Sequence, residues 1–199
     1  MRALIEAGRE PPAYTVSNVI SDQAAAPGLL IARDLGVRAQ ALPAQRPEER
    51  AAYDRRLAAA IAEFSPCLVV LAGFMRILSA DFIAAFEGRI LNIHPALLPK
   101  YPGLHTHRRA LQAGDAEHGA TVHFVTERLD AGPPVIQARV AVRPGDDEAA
   151  LAARVLAQEQ LIYPLAVHWF CEGRLRYGDG RAWLDGGVLE RPVTYPVIG

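Results

Sequence analysis

The chain has 199 residues, 51% of them hydrophobic, 22% charged and 7% aromatic, with a formal net charge of −1. That length suits one domain with a sizeable core, and the small net charge excludes disorder by self-repulsion and bulk attraction to nucleic acid. Only two cysteines, Cys67 and Cys171, are present, which excludes a disulfide framework and makes a reducing cytoplasm the expected compartment.

Met1 opens directly into a helical pattern, MRALIEAG, with no strand before it. Tyr14–Ile20 is rich in β-branched and aromatic residues and reads as a strand. Ala24–Leu35 reads as a helix with Pro27 in its first turn and Gly36 beyond its end. A short strand follows over Val37–Leu42, then a long Ala/Arg helix over Pro47–Phe64 that Pro66 stops. Cys67–Ala72 (CLVVLA) is a continuous apolar run, the pattern of a parallel strand buried on both faces. Ser79 is placed to cap a helix through Phe86, and Arg89–Ile93 is the next strand.

This β-α-β-α rhythm predicts a doubly wound, mostly parallel α/β sheet with helices on both faces. After His94 the pattern changes. Prolines at 95, 99 and 102 mark an ordered loop, followed by a helix over His107–Ala113. Thr121–Val125 and Val135–Val142 read as adjacent antiparallel strands. Asp146 and Asp147 open a long helix to Cys171, and a turn-rich tail of short strands starts at Arg174. No apolar run approaches the roughly 20 residues that span a bilayer, and the opening residues lack the apolar core of a secretory signal.

Polar residues concentrate in Asn92-Ile93-His94-Pro95, at the expected carboxyl end of a buried strand. The preceding strand ends in Ala72-Gly73-Phe74-Met75-Arg76, facing the same crevice where ligands of open α/β sheets sit. An Asn amide can donate to a carbonyl oxygen, and an imidazolium can stabilise an oxyanion or move a proton. Asp130, in Leu129-Asp130-Ala131-Gly132-Pro133, adds a carboxylate that could hold a neighbouring histidine charged. Taken singly, Asn-x-His-Pro and Asp-Ala-Gly-Pro also read as turn chemistry, and spacing alone does not choose.

The longer context does. GFMRILS (73–79), NIHPALLPKYPGLHTHRRAL (92–111) and HGATVHFVTERLDAGPPVIQ (118–137) closely resemble the phosphoribosylglycinamide formyltransferases. The resemblance runs in order from Met1 to about Leu184, and KYPGLHTHRRAL separates this branch from related formyl-folate enzymes. It implies a transferase of purine biosynthesis and one-carbon metabolism. The formyl group of the cosubstrate 10-formyltetrahydrofolate would pass to the glycyl amine of glycinamide ribonucleotide. The alternatives are a formyltetrahydrofolate deformylase, which delivers the group to water, and a non-catalytic folate-binding protein.

By that resemblance Asn92, His94 and Asp130 are the catalytic set. The folate would lie along Met75, Arg76, Ile77 and Leu78, with Asn92 beside it. The loop Thr126, Glu127, Arg128, Leu129 and Asp130 would close over it, and Arg50 and Arg76 would meet its glutamate tail. Gly73, Pro95, Leu156 and Glu159 would contact the ribonucleotide; Leu156 stands where some relatives carry a polar residue. Small-molecule substrates, a monomer or homodimer, and neither nucleic acid nor membrane as partner complete the expectation.

The histidines invite a metal reading through His105-x-His107, with His94, His118 and His123 near in sequence. His-x-His is not an i, i+4 helical pair and no H-E-x-x-H occurs, so no metal site is expected. One departure from the family stands out. Its members begin with an apolar strand and a Gly-Ser-Asn turn that holds the substrate phosphate, and this sequence lacks both. We expect a longer natural protein with that segment upstream of Met1, and weak or no turnover without it. The domain organisation expected is one formyltransferase domain over 1–199. Residues 1–93 form an N-terminally shortened nucleotide-binding-like half, 94–185 a folate and catalytic half, and 186–199 a tail.

Overall fold

A computed structural model describes residues 1–9 and 14–196. The chain opens with helix α1 (Arg2–Ala7) and a short strand β1 (Val19–Ser21). The ladder takes only the end of the expected 14–20 strand. Tyr14 turns instead toward the helices, donating its hydroxyl hydrogen to the Leu4 carbonyl at 2.7 Å and meeting the His168 ring edge-on. Helix α2 (Pro27–Asp34) starts with Pro27, where a missing N–H costs nothing, and is followed by strand β2 (Ala39–Ala41). Then come helix α3 (Arg50–Ala62), strand β3 (Val69–Leu71), helix α4 (Ala80–Ala85) and strand β4 (Ile90–His94). Ser79 caps α4 as expected, its Oγ accepting the Phe82 N–H at 3.4 Å.

The second half contains helix α5 (Thr106–Ala113), strands β5 (Glu117–Phe124) and β6 (Pro134–Ala141), and the 24-residue helix α6 (Glu148–Cys171). Asp147 caps α6 by accepting the Ala150 N–H at 2.7 Å. Strands β7 (Leu175–Gly178), β8 (Arg181–Leu184) and β9 (Gly187–Val188) form a small antiparallel sheet, and β10 (Val193–Tyr195) ends the described chain. Residues 197–199 of the expected tail lie outside the described residues.

The main sheet has the order β10-β6-β5-β4-β3. The pairs β3–β4 and β6–β10 are parallel, while β5 runs antiparallel to both neighbours. Strands β1 and β2 form their own parallel pair. Among the described residues β1 and β3 each keep one unpaired edge, so the parallel ladder is interrupted between them. CLVVLA packs against a core on each face as expected, Leu68 and Val70 on one and Val69 and Leu71 on the other, but its burial is only partial. Val69, Val70 and Leu71 are half-buried, and Cys67, expected as a packing residue, is exposed. Cys171 is half-buried, and burial pushes its thiol up to about 12, which keeps it an inert thiol at neutral pH.

Two apolar cores lie on opposite faces of this sheet, because alternate residues of a strand point to opposite sides. Leu91 belongs to the core built with α1 and α6, which includes Val155, Ile162 and Trp169. Ile90 belongs to the core built with α3 and α4, which includes Tyr53, Leu57 and Phe82. Tyr163 of α6 shares its hydroxyl hydrogen between the carbonyls of Leu71 and Leu91, both at 2.8 Å, tying the helix to the ends of β3 and β4.

Candidate active site

Leu71 pairs with Asn92 in the parallel β3–β4 ladder, which brings the carboxyl ends of both strands to one edge. Asn92 and His94 follow Ile90 at a period of two, so both face the α3–α4 side. On β5, His123 sits opposite Asn92 and Thr121 opposite His94, adding two polar side chains to that face.

His94 is only 5% exposed, and its ring is held on both edges. Nε2 lies 2.8 Å from the Tyr101 carbonyl oxygen, which can only accept, so this nitrogen carries a hydrogen. Nδ1 faces the Asp130 carboxylate, with Oδ2 at 3.5 Å. That distance suits an ion pair but is too long for a good hydrogen bond, so a hydrogen on Nδ1 is not consumed by Asp130. Asp130 is fixed separately: Oδ2 accepts the Gly103 N–H at 2.8 Å, and its backbone adopts φ of 50°, a left-handed conformation that Asp tolerates.

Asn92 is oriented by His123. The His123 Nδ1–H donates to the Phe124 carbonyl at 2.8 Å, which leaves Nε2 as acceptor for the Asn92 amide at 3.2 Å. Burial lowers the pKa of His123, so it stays neutral and this tautomer holds. Of the two hydrogens on Asn92 Nδ2, one goes to His123 and one remains free to donate.

Under these residues the 95–101 loop is pinned. Thr121 Oγ donates to the Ala96 carbonyl at 2.6 Å and accepts from the Leu98 N–H and Gln137 Nε2 at 3.0 Å. Gln137 also donates to the Leu98 carbonyl at 2.8 Å. Sequence reasoning assigned no role to Thr121 and Gln137, and placed His123 only as a residue shaping the cleft, not as the partner of Asn92. A signal was available: polar residues at alternate positions of a buried strand, as in Thr121-Val122-His123, mark one polar face. The Tyr101 carbonyl and Gly103 N–H are backbone groups, for which side-chain patterns carry no signal.

The turn holding Asp130 depends on Gly132. A Cβ there would overlap the Phe124 carbonyl oxygen, which is backbone and cannot rotate away. Gly132→Ala is therefore expected to displace Asp130 from His94 and lower turnover by roughly tenfold or more while the chain still folds. Steady-state kinetics beside circular dichroism checks this, and unchanged turnover would contradict it.

Behind the site His118 lies with Nε2 3.1 Å from His107 Nδ1. Burial, then the His107 imidazole, pushes the His118 pKa down to about 4. The unfolded chain takes up this proton near pH 6.5, so the unfolded state binds more protons between those values. Stability is thus complete above about pH 6.5 and is lost as pH falls toward 4, by roughly 2–3 kcal/mol from His118 alone. His107 and His123, also lowered by burial, add the same sign. Thermal melts from pH 7.5 to 5 should show His118→Asn less acid-sensitive than the parent; equal slopes would contradict this.

Met75 and Ile77 are exposed, at 77% and 54%, whereas the Leu78 side chain is in the α3–α4 core, leaving only its backbone for a ligand. The Arg76 guanidinium stacks 4.2 Å above the Tyr53 ring and lies 3.8 Å from Asp22. Arg50, the first residue of α3, is exposed. Thr126 and Pro95 are half-buried, and Glu127, Arg128 and Leu129 are exposed on the loop before Asp130. Gly73 is exposed with φ of 69°. Leu156 and Glu159 lie three apart on one stripe of α6, and burial raises the Glu159 carboxyl above the ordinary range. Among the described residues no cluster of three or more His, Cys, Asp or Glu could hold a metal ion, and no helix is long and apolar enough to cross a membrane.

The comparisons with known proteins agree on a class. A family model described as formyl transferase matches residues 1–167, and the chain belongs to that family. The phosphoribosylglycinamide formyltransferase of Escherichia coli K12 is 55% identical over 175 residues, covering 88% of this chain and 82% of that protein. The solved phosphoribosylglycinamide formyltransferase of Coxiella burnetii superposes with a TM-score of 0.92 at 42% identity, covering 98% of this chain and 92% of that one. A formyltetrahydrofolate deformylase from Pseudomonas syringae shares the fold, with a TM-score of 0.81 over 92% of this chain and 60% of that one, at only 22% identity.

Proposed function

We propose that the chain transfers the formyl group of 10-formyltetrahydrofolate to the glycyl amine of glycinamide ribonucleotide, as a cytoplasmic enzyme of purine biosynthesis. One observation supports this chemistry above the others: His94 is anchored through Nε2 to the Tyr101 carbonyl, while Nδ1 faces Asp130. The substrate amine attacks the formyl carbon on N10 of the folate. A new C–N bond forms and the carbonyl electrons move to oxygen. Asn92 Nδ2–H and His94 Nδ1–H donate to that oxyanion, each donor contributing roughly 3–4 kcal/mol in acyl-transfer sites of this kind. Asp130, which faces the His94 ring, carries a proton from the attacking nitrogen to N10, through water. The C–N10 bond then breaks as the carbonyl reforms. Direct attack requires neither a metal nor a formyl-enzyme, so the protein's task is to hold two substrates in register.

In this reading the unpaired backbone of Met75–Leu78 meets the pterin edge, and the 126–130 loop closes over it. Arg50 supplies the exposed cation for the glutamate tail, since Arg76 is engaged with Tyr53 and Asp22. Gly73, Pro95, Leu156 and Glu159 line the ribonucleotide side. The 1–93 half then serves the nucleotide and the 94–185 half the folate chemistry. The chain would work as a monomer or homodimer on small molecules. Tetrahydrofolate release followed by absorbance tests the assignment. Release that requires glycinamide ribonucleotide supports transfer; equal release into water alone would mean a deformylase. Folate binding with no release under either condition, even in a chain supplied with the expected upstream strand and Gly-Ser-Asn turn, would mean a binding protein.

A further inference from the structure

Helix α3 holds the proposed folate-facing segment from beneath at two points. Asp54 is 1% exposed, and its Oδ2 accepts the backbone N–H of Ser79 at 2.6 Å. Ser79 is the residue at which Met75–Leu78 ends and α4 begins. One residue earlier on α3, the buried Tyr53 ring carries the Arg76 guanidinium at 4.2 Å. Between these anchors the side chains alternate, Arg76 and Leu78 inward, Met75 and Ile77 outward. Among the described residues the backbone groups of Met75–Leu78 make no backbone–backbone hydrogen bond. A stretch of chain with unpaired donors and acceptors keeps its shape only if something else fixes it.

We propose that Asp54 is a positioning residue for the folate: its bond to the Ser79 N–H sets the register and tilt of the Met75–Leu78 backbone that meets the pterin edge. The inference rests on the reading that this segment is the folate-binding one. A buried carboxylate is a costly way to cap one N–H that Ser79 could expose to water, which argues for a geometric purpose. The remaining oxygen, Oδ1, is buried without a hydrogen-bond partner among the described residues, so the group is not simply satisfying itself. Asp54 stands on α3 next to Tyr53, whose ring packs in the core that also holds Leu78 and Ile90, so loss of its bond would loosen the pterin-facing backbone while the β4 side chains keep their places.

The test uses the whole chain with Asp54→Ala and Asp54→Asn, the latter keeping an acceptor oxygen. Two readouts are needed: KM values for both substrates, and hydrogen exchange of the amides of residues 75–79. Asp54→Ala is expected to raise the KM for 10-formyltetrahydrofolate by roughly tenfold or more, with kcat and the glycinamide ribonucleotide KM within about twofold. The same amides should exchange faster, and Asp54→Asn should recover most of both effects. Slow amides with an unchanged folate KM would overturn the contact itself. Fast amides with an unchanged folate KM would overturn the positioning role and locate the error in the folate-site assignment. Parallel loss of kcat and both KM values in both variants would mean a general structural role and would also overturn it.

Discussion

His94→Ala is expected to lower kcat by roughly 10²–10⁴-fold while leaving the chain folded, measured against the parent chain in the same transfer assay. The loss has two parts. In the proposed reaction the substitution removes the Nδ1 donor to the developing oxyanion, and it leaves Asp130 without the ring it faces at 3.5 Å. The ring also anchors the Tyr101 carbonyl at 2.8 Å, so part of the effect is the freed 95–101 loop. The Thr121–Gln137 network holds that loop independently, which is why we expect the fold to survive. Near-normal kcat in a folded His94→Ala protein would remove the histidine from the mechanism. Asn92→Ala, which deletes the second donor, should cost a comparable amount, roughly 10²–10³-fold.

Asp130→Asn carries the second large effect and is the cleaner substitution. Asparagine tolerates the left-handed backbone at this position, and its amide oxygen still accepts the Gly103 N–H. Geometry is therefore preserved while the charge and the proton-carrying capacity are lost. The expected result is a fall in kcat of roughly 10²–10³-fold, with KM for the ribonucleotide little changed, because in the proposed reaction Asp130 acts on the transition state and not on substrate binding. Equal losses in kcat and in substrate affinity would contradict a proton-transfer role. Together with Gly132→Ala, which keeps the carboxylate but moves it, the pair separates the need for a charge from the need for its placement.

Much of the architecture is legible in the sequence for local reasons. Ser79 and Asp147 cap their helices through side-chain oxygens, Pro27 sits where a helix needs no N–H, and Asn-x-His closes a strand whose alternation aims both side chains one way. The misreadings have physical causes too. YTVSNVI has strand propensity throughout, but Tyr14 is drawn to α1 by its hydroxyl, so only Val19–Ser21 enters a ladder. CLVVLA has the composition of a doubly buried strand and does pack on both faces, yet among the described residues it pairs along one edge only, its residues are half-buried and Cys67 is exposed. Composition reports what a strand can bury, whereas the sheet order decides what it does bury.

The candidate site was legible as three side chains and a resemblance. What makes the three into a constellation was not. The Tyr101 carbonyl and the Gly103 N–H act through backbone atoms, and loop geometry alone delivers them to His94 and Asp130. His123 fixes the Asn92 amide only because β5 runs antiparallel to β4 in the register that sets them opposite each other. Leu78 was expected to meet the folate through its backbone, and its side chain packs in the core, which leaves that backbone available.

In the proposed reaction the ribonucleotide's amine attacks the folate-bound formyl carbon directly, and Asn92 and His94 hold the formyl oxygen as an oxyanion. Labelling that oxygen with a heavy isotope in the donor and weighing the product in ordinary water tests it most directly. Direct transfer predicts that the label is fully retained in formyl-glycinamide ribonucleotide, one per tetrahydrofolate released. Loss of the label to solvent, or its appearance in free formate, would show that water takes the formyl group first and would contradict the account.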